Sequence, residues 1–182
     1  MVNALRSLEI AIDTDWPSTT LTVNGCASKI PSRGAELNLE GSGTSLRFLT
    51  ALVATGNGVF TLDGNSRMRQ RPIAELADAL RQCDTEINST SGFPPLMVRA
   101  NKLSGASVSL NGDISSQYLS ALLLAAPAAT GAMEFQIQGP QVSQPYISMT
   151  CAVMDAFGVH VKREEAVRFF VEPKWPTIQL QA

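Results

Sequence analysis

The sequence has few of the residues that build metal sites or disulfide frameworks. Its 182 residues include three cysteines and one histidine. Cys26, Cys83 and Cys151 are widely spaced, form no CxxC pair and have only His160 as a nitrogen partner. This pattern predicts neither a zinc site nor a set of disulfide bonds, and it fits a protein of the reducing cytoplasm. We therefore expect no metal and no other cofactor.

Excess charge and long hydrophobic runs are also missing. The 14 lysines and arginines nearly balance 16 aspartates and glutamates, so the formal net charge of -2 gives no bulk attraction for nucleic acid or an anionic membrane. The longest apolar segment, Leu119–Ala129, is interrupted by Ser120 and Pro127 and is shorter than the roughly 20 residues of a spanning helix. The N-terminus also lacks the layout of a signal peptide. We expect a cytoplasmic protein that binds neither nucleic acid nor membrane.

Three similar segments recur at a spacing of about 75 residues, which predicts an internal repeat. Asn3–Ile12, Asp78–Ile87 and Ala152–Val161 each have the pattern of a helix end that runs into a strand. The later two copies also match upstream, where Phe48–Leu52 corresponds to Tyr118–Leu122. The first copy has no upstream half, so the chain is expected to begin inside a structural unit. The single predicted domain, 1–182, then divides into a remnant of a first unit at 1–40, a second unit at 41–105 and a third unit at 106–182.

Each complete unit has the pattern of two helices with strands between and after them. The first helices, Ser45–Ala54 and Ser116–Ala126, are apolar on nearly all sides and are predicted to lie in the interior. The second helices are predicted to begin at Pro72 and Pro145, since proline is tolerated in a first turn, and the later one to end at Gly158. The expected fold is α/β, a pseudo-threefold domain of repeated βαβαββ units with buried helices and outer sheets. The predicted strands include Val108–Leu110, Val159–Val161 and Phe169–Val171.

A glycine-rich segment precedes the first helix of the second unit. Gly41–Arg47 brings two glycines, three hydroxyls and an arginine to a helix start, where free N–H groups and the helix dipole favour an anion. Ser42 or Thr44 could equally do no more than cap the helix. Arg47 favours an anion site, because a charge one turn into an apolar helix is costly to bury without a partner.

The third unit has polar side chains at the equivalent place. Ser115, Ser116 and Gln117 present two hydroxyls and an amide at a helix start, which is more than capping requires. At the next junction Ser143 and Tyr146 add hydroxyl groups, although Tyr146 could instead be a core residue. These side chains form a second candidate anion site.

Three arginines alternate in the segment ahead of Pro72. Arg67, Arg69 and Arg71 suit bidentate contacts with phosphate or carboxylate, and we assign Arg69 to solvated surface charge. His160 lies in a predicted strand without a catalytic partner and is interpreted as structural. The acidic residues are scattered and no pair stands out as a general acid and base. No catalytic residue is therefore assigned.

At these motifs the sequence resembles the family of 5-enolpyruvylshikimate-3-phosphate (EPSP) synthases, from Val2 to Phe170. The resemblance implies the inside-out α/β barrel of enolpyruvyl transferases and a place in the shikimate pathway of aromatic amino acid biosynthesis. The implied reaction is a metal-free transfer of the enolpyruvyl group from phosphoenolpyruvate (PEP) to the 5-hydroxyl of shikimate 3-phosphate, with release of phosphate. The four segments that carry it are GTSLR at 43–47, RMRQRPI at 67–73, SSQ at 115–117 and SQPY at 143–146.

The resemblance also implies roles for single residues. Gly43, Arg67 and Gln117 would face PEP, with Arg47 in support of that pocket. The serines and the glutamine of the third unit would hold shikimate 3-phosphate. The full implied substrate-binding set is Gly43, Thr44, Arg47, Arg67, Ser115, Ser116, Gln117, Ser143 and Tyr146.

The chain departs from the family pattern in several places. Gly41–Ser42 and Phe48 replace the usual Asn-Ala and proline around the glycine-rich segment, and Gln144 stands where lysine is frequent. These differences leave the pocket shape and the sensitivity to the inhibitor glyphosate open. The family's Lys-Ser-Arg motif and its second domain, with an acidic base, have no counterpart here. The resemblance therefore implies a partial chain that needs a second domain or a complementing chain for turnover.

Two other interpretations stay open. A relative of UDP-N-acetylglucosamine enolpyruvyl transferase would share the fold but usually carries a reactive cysteine in a PEP loop, and no cysteine here sits in a glycine-rich or arginine-flanked loop. A non-catalytic domain that only binds anions or another chain is also compatible with the motifs.

Overall fold

Helices and strands follow each other in an order that occurs twice along the chain. The computed structural model describes residues 1–112, 115–139, 143–165 and 167–173. The helices are α1 Val2–Ser7, α2 Gly43–Ala54, α3 Ala74–Arg81, α4 Ser116–Ala125 and α5 Gln144–Ala156. The strands are β1 Ile12–Asp15, β2 Thr20–Val23, β3 Gly34–Asn38, β4 Asn57–Asp63, β5 Glu86–Thr90, β6 Phe93–Asn101, β7 Ser107–Asn111, β8 Met133–Gln138, β9 Lys162–Glu164 and β10 Arg168–Val171.

The two larger sheets have the same topology. One has the order β3-β4-β6-β5 and the other β7-β8-β10-β9, and in each the first pair is parallel and the other pairs are antiparallel. A helix connects the parallel strands, so each sheet belongs to a βαβαββ unit. β1 and β2 form a separate antiparallel pair. This confirms the predicted α/β fold of repeated units, and within the described ranges the sheets stay open rather than closing into a barrel.

The interior is built around α2 and α4, which pack side by side. Both are buried over most of their length, as their apolar sequences predict. Phe60 of β4 and Phe135 of β8 hold equivalent positions and are fully buried. The strands alternate buried and exposed residues, so one face of each sheet covers the helices and the other faces solvent. The predicted arrangement of inner helices and outer sheets is confirmed.

The starts of the second helices differ from their predicted positions. α3 begins at Ala74 and not at Pro72, because the N–H of Ile73 donates to Gly92 O at 2.9 Å, which holds Ile73 outside the helix. α5 begins at Gln144, which places Pro145 inside its first turn. Gly158 lies beyond the helix end with a φ of 75°, as a C-terminal glycine does.

The predicted strand at Val159–Val161 is wrong. These three residues are irregular, and β9 begins only at Lys162. His160 is exposed and its Nδ1 contacts the Asp155 carboxylate on the preceding helix, so a local side-chain contact replaces the strand. α4 likewise ends one residue early, because residues 126–128 tighten into a 3₁₀ turn that contains Pro127.

The boundaries of the units at 41 and 106 stay predictions. β3 lies ahead of residue 41 and pairs with β4, so we propose that the second unit includes Gly34–Asn38. Residues 174–182 of the third unit lie outside the described residues. No helix in the described part of the chain is long and apolar enough to cross a membrane.

Candidate functional site

The starts of α2 and α4 lie at the same end of the helix pair. Ser42 precedes α2 and its Oγ accepts a hydrogen bond from the N–H of Ser45 at 3.3 Å. Ser115 precedes α4 and its Oγ accepts from the N–H of Gln117 at 3.3 Å. Both serines are therefore helix caps. The capping interpretation accounts for one side chain at each start and leaves Thr44, Ser116 and Gln117 unexplained.

Gln117 joins the two helix starts. Its Nε2 donates to Thr44 Oγ1 at 3.3 Å, and its Oε1 accepts from Arg47 Nη1 at 2.5 Å. Residues from two different units are thus tied together by a single amide. Because the positive ends of both helix dipoles meet here, an anion at this place would be attracted by free N–H groups and by Arg47.

Arg47 is held in place by neutral groups. Its guanidinium lies over the ring of Tyr118, with Cζ 5.1 Å from the ring centroid. Tyr118 is buried and its hydroxyl donates to the carbonyl of Pro72 at 2.9 Å. Burial raises the pKa of Tyr118, and the charge of Arg47 partly opposes that rise. The phenol therefore stays protonated and ties α4 to the arginine-rich segment.

Arg71, which the sequence analysis names among the arginines suited to phosphate, is a site residue outside the implied substrate-binding set. A Cβ added at Gly43 would lie 2.8 Å from Arg71 Nη1, so this guanidinium sits directly against the start of α2. The glycine provides the space that the guanidinium occupies. The backbone N–H of Arg71 donates to Met68 O at 2.9 Å, but its guanidinium makes no hydrogen bond or ion pair within the described residues. The Arg-x-x-x-Arg spacing of Arg67 and Arg71 was the signal that could have pointed to it.

Arg69 behaves as the sequence analysis expects. It is largely exposed and pairs with Asp63 through two hydrogen bonds, of 3.0 and 2.5 Å. The Arg69 hydrogen bond lowers the pKa of Asp63. The charge of Arg69 is thus already neutralised, in contrast to that of Arg71 in the same segment.

Three of the predicted site residues are exposed and make no side-chain hydrogen bond or ion pair with this cluster among the described residues. Arg67 is exposed at the start of the 3₁₀ turn Met68–Gln70, and Ser143 is exposed ahead of α5 with a φ of 57°. Tyr146 is 61% exposed, so the alternative interpretation of Tyr146 as a core residue is wrong. Ile147, its neighbour in α5, lines a cavity together with Ser115 and Ser116, which brings the first turn of α5 close to the start of α4.

Cys83 and Cys151 are not set up for nucleophilic chemistry. Burial raises the pKa of Cys83 to about 11, and burial also raises the pKa of Cys151. A reactive thiol needs a lowered pKa, which neither has. Cys26, Cys83 and Cys151 are all free thiols. Across the described ranges, no group of three or more His, Cys, Asp or Glu side chains is placed to hold a metal ion.

Comparison with known proteins identifies the family. The family model described as EPSP synthase (3-phosphoshikimate 1-carboxyvinyltransferase) matches residues 1–179. A protein named 3-phosphoshikimate 1-carboxyvinyltransferase from Shewanella amazonensis is 43% identical over 172 residues, which cover 93% of this chain and 40% of the relative. One of the same name from Sulfurovum is 41% identical over 175 residues, covering 94% of this chain and 41% of that protein.

A solved structure agrees with the fold. EPSP synthase from Acinetobacter baumannii superposes with a TM-score of 0.76 at 24% identity, covering 94% of this chain and 38% of that one. The chain spans about 40% of the length of the curated relatives it matches. Since the family model covers nearly all of its residues, the chain belongs to the EPSP synthase family.

Proposed function

We propose that this chain forms one wall of a site that transfers the enolpyruvyl group from PEP to shikimate 3-phosphate. The observation that carries the proposal is the Gln117 bridge, which joins Arg47 and Thr44 of one helix start to Ser115 and Ser116 of another. Both substrates are multiply charged anions, and this is the place where charge, hydroxyls and two helix dipoles converge.

In this proposal the starts of α2 and α4 bind different substrates. The hydroxyls of Ser115 and Ser116 and the amide of Gln117 bind shikimate 3-phosphate, with Ser143 and Tyr146 beside them on the first turn of α5. Their hydroxyls can donate hydrogen bonds to the ring and phosphate oxygens of this substrate without adding charge to the site. The cavity that contains Ser115, Ser116 and Ile147 supports this placement.

PEP is placed at the start of α2. Gly43 leaves room for the Arg71 guanidinium at this helix start, Gln117 bonds the neighbouring Thr44, and Arg67 and Arg71 supply positive charge from the arginine-rich segment. Arg47 acts through Gln117, because it fixes the orientation of that amide at 2.5 Å. It is thus a positioning residue in addition to a source of charge.

The reaction needs proton transfer that these residues do not supply. The 5-hydroxyl oxygen adds to C2 of PEP while C3 takes a proton, and loss of phosphate and of a C3 proton then forms the enol ether. Thr44, Arg47, Ser115, Ser116 and Gln117 are residues that bind and orient anions, and none of them is assigned here as the general acid or base. We propose that a second domain or a complementing chain supplies this step and that the 182-residue chain alone turns over at background level.

Two related proposals complete this account. The three free thiols support a cytoplasmic location, where disulfides are not needed. The raised pKa values of Cys83 and Cys151 disfavour a UDP-N-acetylglucosamine enolpyruvyl transferase relative, which would use a reactive cysteine.

A complementation assay tests the proposed function. The stretches of the Shewanella amazonensis relative that lie outside the match are produced as separate polypeptides and mixed with this chain, and phosphate release from PEP and shikimate 3-phosphate is measured. We expect background release by the chain alone and turnover in the mixture. Arg67→Ala should abolish most of that turnover, whereas Arg69→Ala, a matched change in the same segment, should keep it.

Two results would overturn the proposal. Full turnover by the isolated chain would show that the chemistry lies in residues assigned here to binding or packing. If neither Arg67→Ala nor Arg69→Ala lowers turnover in the mixture, the arginine-rich segment is not part of the PEP site. Binding of both substrates without any turnover in the mixture would favour an anion-binding domain.

A further inference from the structure

Tyr118 follows Gln117 on α4 and contacts two separate parts of the second unit. Its ring lies below the Arg47 guanidinium, and its hydroxyl donates to the carbonyl of Pro72 at 2.9 Å. The residue is only 4% exposed, and a phenol that is buried to this extent needs a hydrogen-bond partner. One side chain of the third unit therefore joins α2 to the end of the arginine-rich segment.

The beginning of the arginine-rich segment is held by contacts within the second unit. Asn65 N donates to Glu40 O, and Asn65 Oδ1 accepts from Met68 N, both at 3.0 Å. The side chain of Met68 is buried in the core. These contacts fix the part of the segment around the 3₁₀ turn, so the position of its last two residues depends on other groups.

The end of the segment has fewer groups by which it can be held. Arg71 N donates back into the 3₁₀ turn at 2.9 Å, and Ile73 N donates to Gly92 O, also at 2.9 Å. Pro72 lies between these two points and has no N–H, so its carbonyl is the backbone group that can form a hydrogen bond. The Tyr118 hydroxyl binds that carbonyl, and it reaches the segment from a different unit.

The position of this backbone matters because the Arg71 guanidinium lies against the α2 start. A Cβ added at Gly43 would lie 2.8 Å from Arg71 Nη1 and 3.8 Å from its Cζ. Arg47 lies one turn into the same helix, and the helix start itself is the positive end of a dipole. Like charges repel each other when no anion is bound, so contacts of the neighbouring backbone have to hold Arg71 there.

We propose that Tyr118 is a positioning residue, whose hydroxyl holds the Arg71 guanidinium against the α2 start through the carbonyl of Pro72. The inference rests on the proposed function, in which Arg71 supplies charge to the PEP site, and it adds that a side chain of the third unit sets the affinity for PEP. Gln117 and Tyr118 then have different tasks. Gln117 joins the donors of the two helix starts, whereas Tyr118 joins α4 to the second cation.

The first test needs no ligand and uses Tyr118→Phe in the 182-residue chain. This change keeps the ring below Arg47 and removes the donor to Pro72 O. The heteronuclear NOE of the Arg71 Nε–H should fall, because the guanidinium becomes more mobile. The amide of Gly43, which this guanidinium covers, should change its chemical shift.

Ser120→Ala is the matched control. It also removes one buried hydroxyl from α4, since Ser120 Oγ and Thr150 Oγ1 share a hydrogen bond of 2.8 Å. That hydroxyl contacts α5 and not the arginine-rich segment, so the mobility of Arg71 should be the same as in the wild-type chain. Thermal melting of both variants checks that each is folded.

Calorimetric titration with each substrate forms the second test. The affinity of Tyr118→Phe for PEP should fall by about threefold, the scale of one lost neutral hydrogen bond, and the affinity for shikimate 3-phosphate should be unchanged. Arg71→Gln in the Tyr118→Phe background should cause little further loss of PEP affinity, because both changes act on the same guanidinium.

Three results would overturn the proposal: an Arg71 NOE in Tyr118→Phe equal to that of the wild-type chain, equal weakening of both substrates, or additive losses with Arg71→Gln. The two tests also separate this inference from the proposed function. A wild-type chain that binds no PEP would contradict the proposed function, while the Arg71 NOE would still decide whether Tyr118 positions this guanidinium.

Discussion

The starts of α2 and α4 occupy equivalent places in their units but carry side chains of different character. At α2 the side chains are cationic, with Arg47 one turn into the helix and Arg71 against Gly43. At α4 they are neutral donors, Ser116 and Gln117. Both helix starts have a serine cap and the positive end of a helix dipole. The two units thus repeat the same helix-start geometry. The second unit supplies the positive charge there, and the third unit supplies the neutral donors.

The charge at the α2 start is unusual because it is not neutralised. Arg47 contacts an amide oxygen and an aromatic ring, and among the described residues no carboxylate pairs with it. Arg69, which lies on the same side of the second unit, is paired with Asp63. A half-buried cation that is oriented by neutral groups keeps its attraction for a ligand, whereas an ion pair does not.

The largest expected effect comes from breaking the bridge between the two starts. Arg47→Ala removes the partner of Gln117 Oε1 and uncovers the Tyr118 ring, so the free energy of unfolding should fall by about 1–3 kcal/mol. Affinity for shikimate 3-phosphate and PEP should fall by about tenfold to a hundredfold, the scale of a lost charge-assisted hydrogen bond. Urea unfolding and calorimetric titration measure the two quantities.

A double-mutant cycle with Gln117→Ala sharpens this prediction. The two changes should be non-additive by about 0.5 kcal/mol or more, since they remove the same hydrogen bond. Additive effects would mean that the two helix starts act independently and that the bridge is incidental.

A smaller effect is expected from the second cation. Arg71→Gln should weaken PEP binding by a few-fold, because the guanidinium lies at the α2 start without a competing partner. Arg69→Gln makes the same chemical change in the same segment and should leave binding unaltered. Titration of both variants with PEP compares them directly. Equal losses would show that the segment contributes only bulk positive charge, and the distinction between Arg69 and Arg71 would fail.

Much of the fold could be predicted from the sequence, because its signals are local. The apolar sequences of α2 and α4 predicted interior helices, and the repeat predicted two sheets of one topology. The start of α3 was misplaced because the hydrogen bond from Ile73 to Gly92 is a tertiary contact. The strand predicted at Val159–Val161 does not form, and His160 instead makes a local contact with Asp155 near the end of α5.

The site could be predicted only in part. The motifs pointed to Arg47, Thr44 and the third-unit donors, and the fold brings these together through Gln117. The implied substrate-binding set omits Arg71 and Tyr118, because the place of Arg71 against Gly43 and the contacts of Tyr118 with Arg47 and Pro72 are tertiary. The roles of single residues toward substrate stay predictions.

The central claim, that the two helix starts form one anion site, is tested most directly by an NMR titration with shikimate 3-phosphate. The amides of Ser115, Ser116 and Gln117 should shift first, together with Thr44, and shikimate without its phosphate should shift them far less. Ser115→Ala with Ser116→Ala should weaken binding by about 1–3 kcal/mol. Ser42→Ala, which removes the equivalent cap at α2, controls for the loss of a cap. Unchanged affinity in the double variant, or shifts confined to a distant surface, would contradict the account.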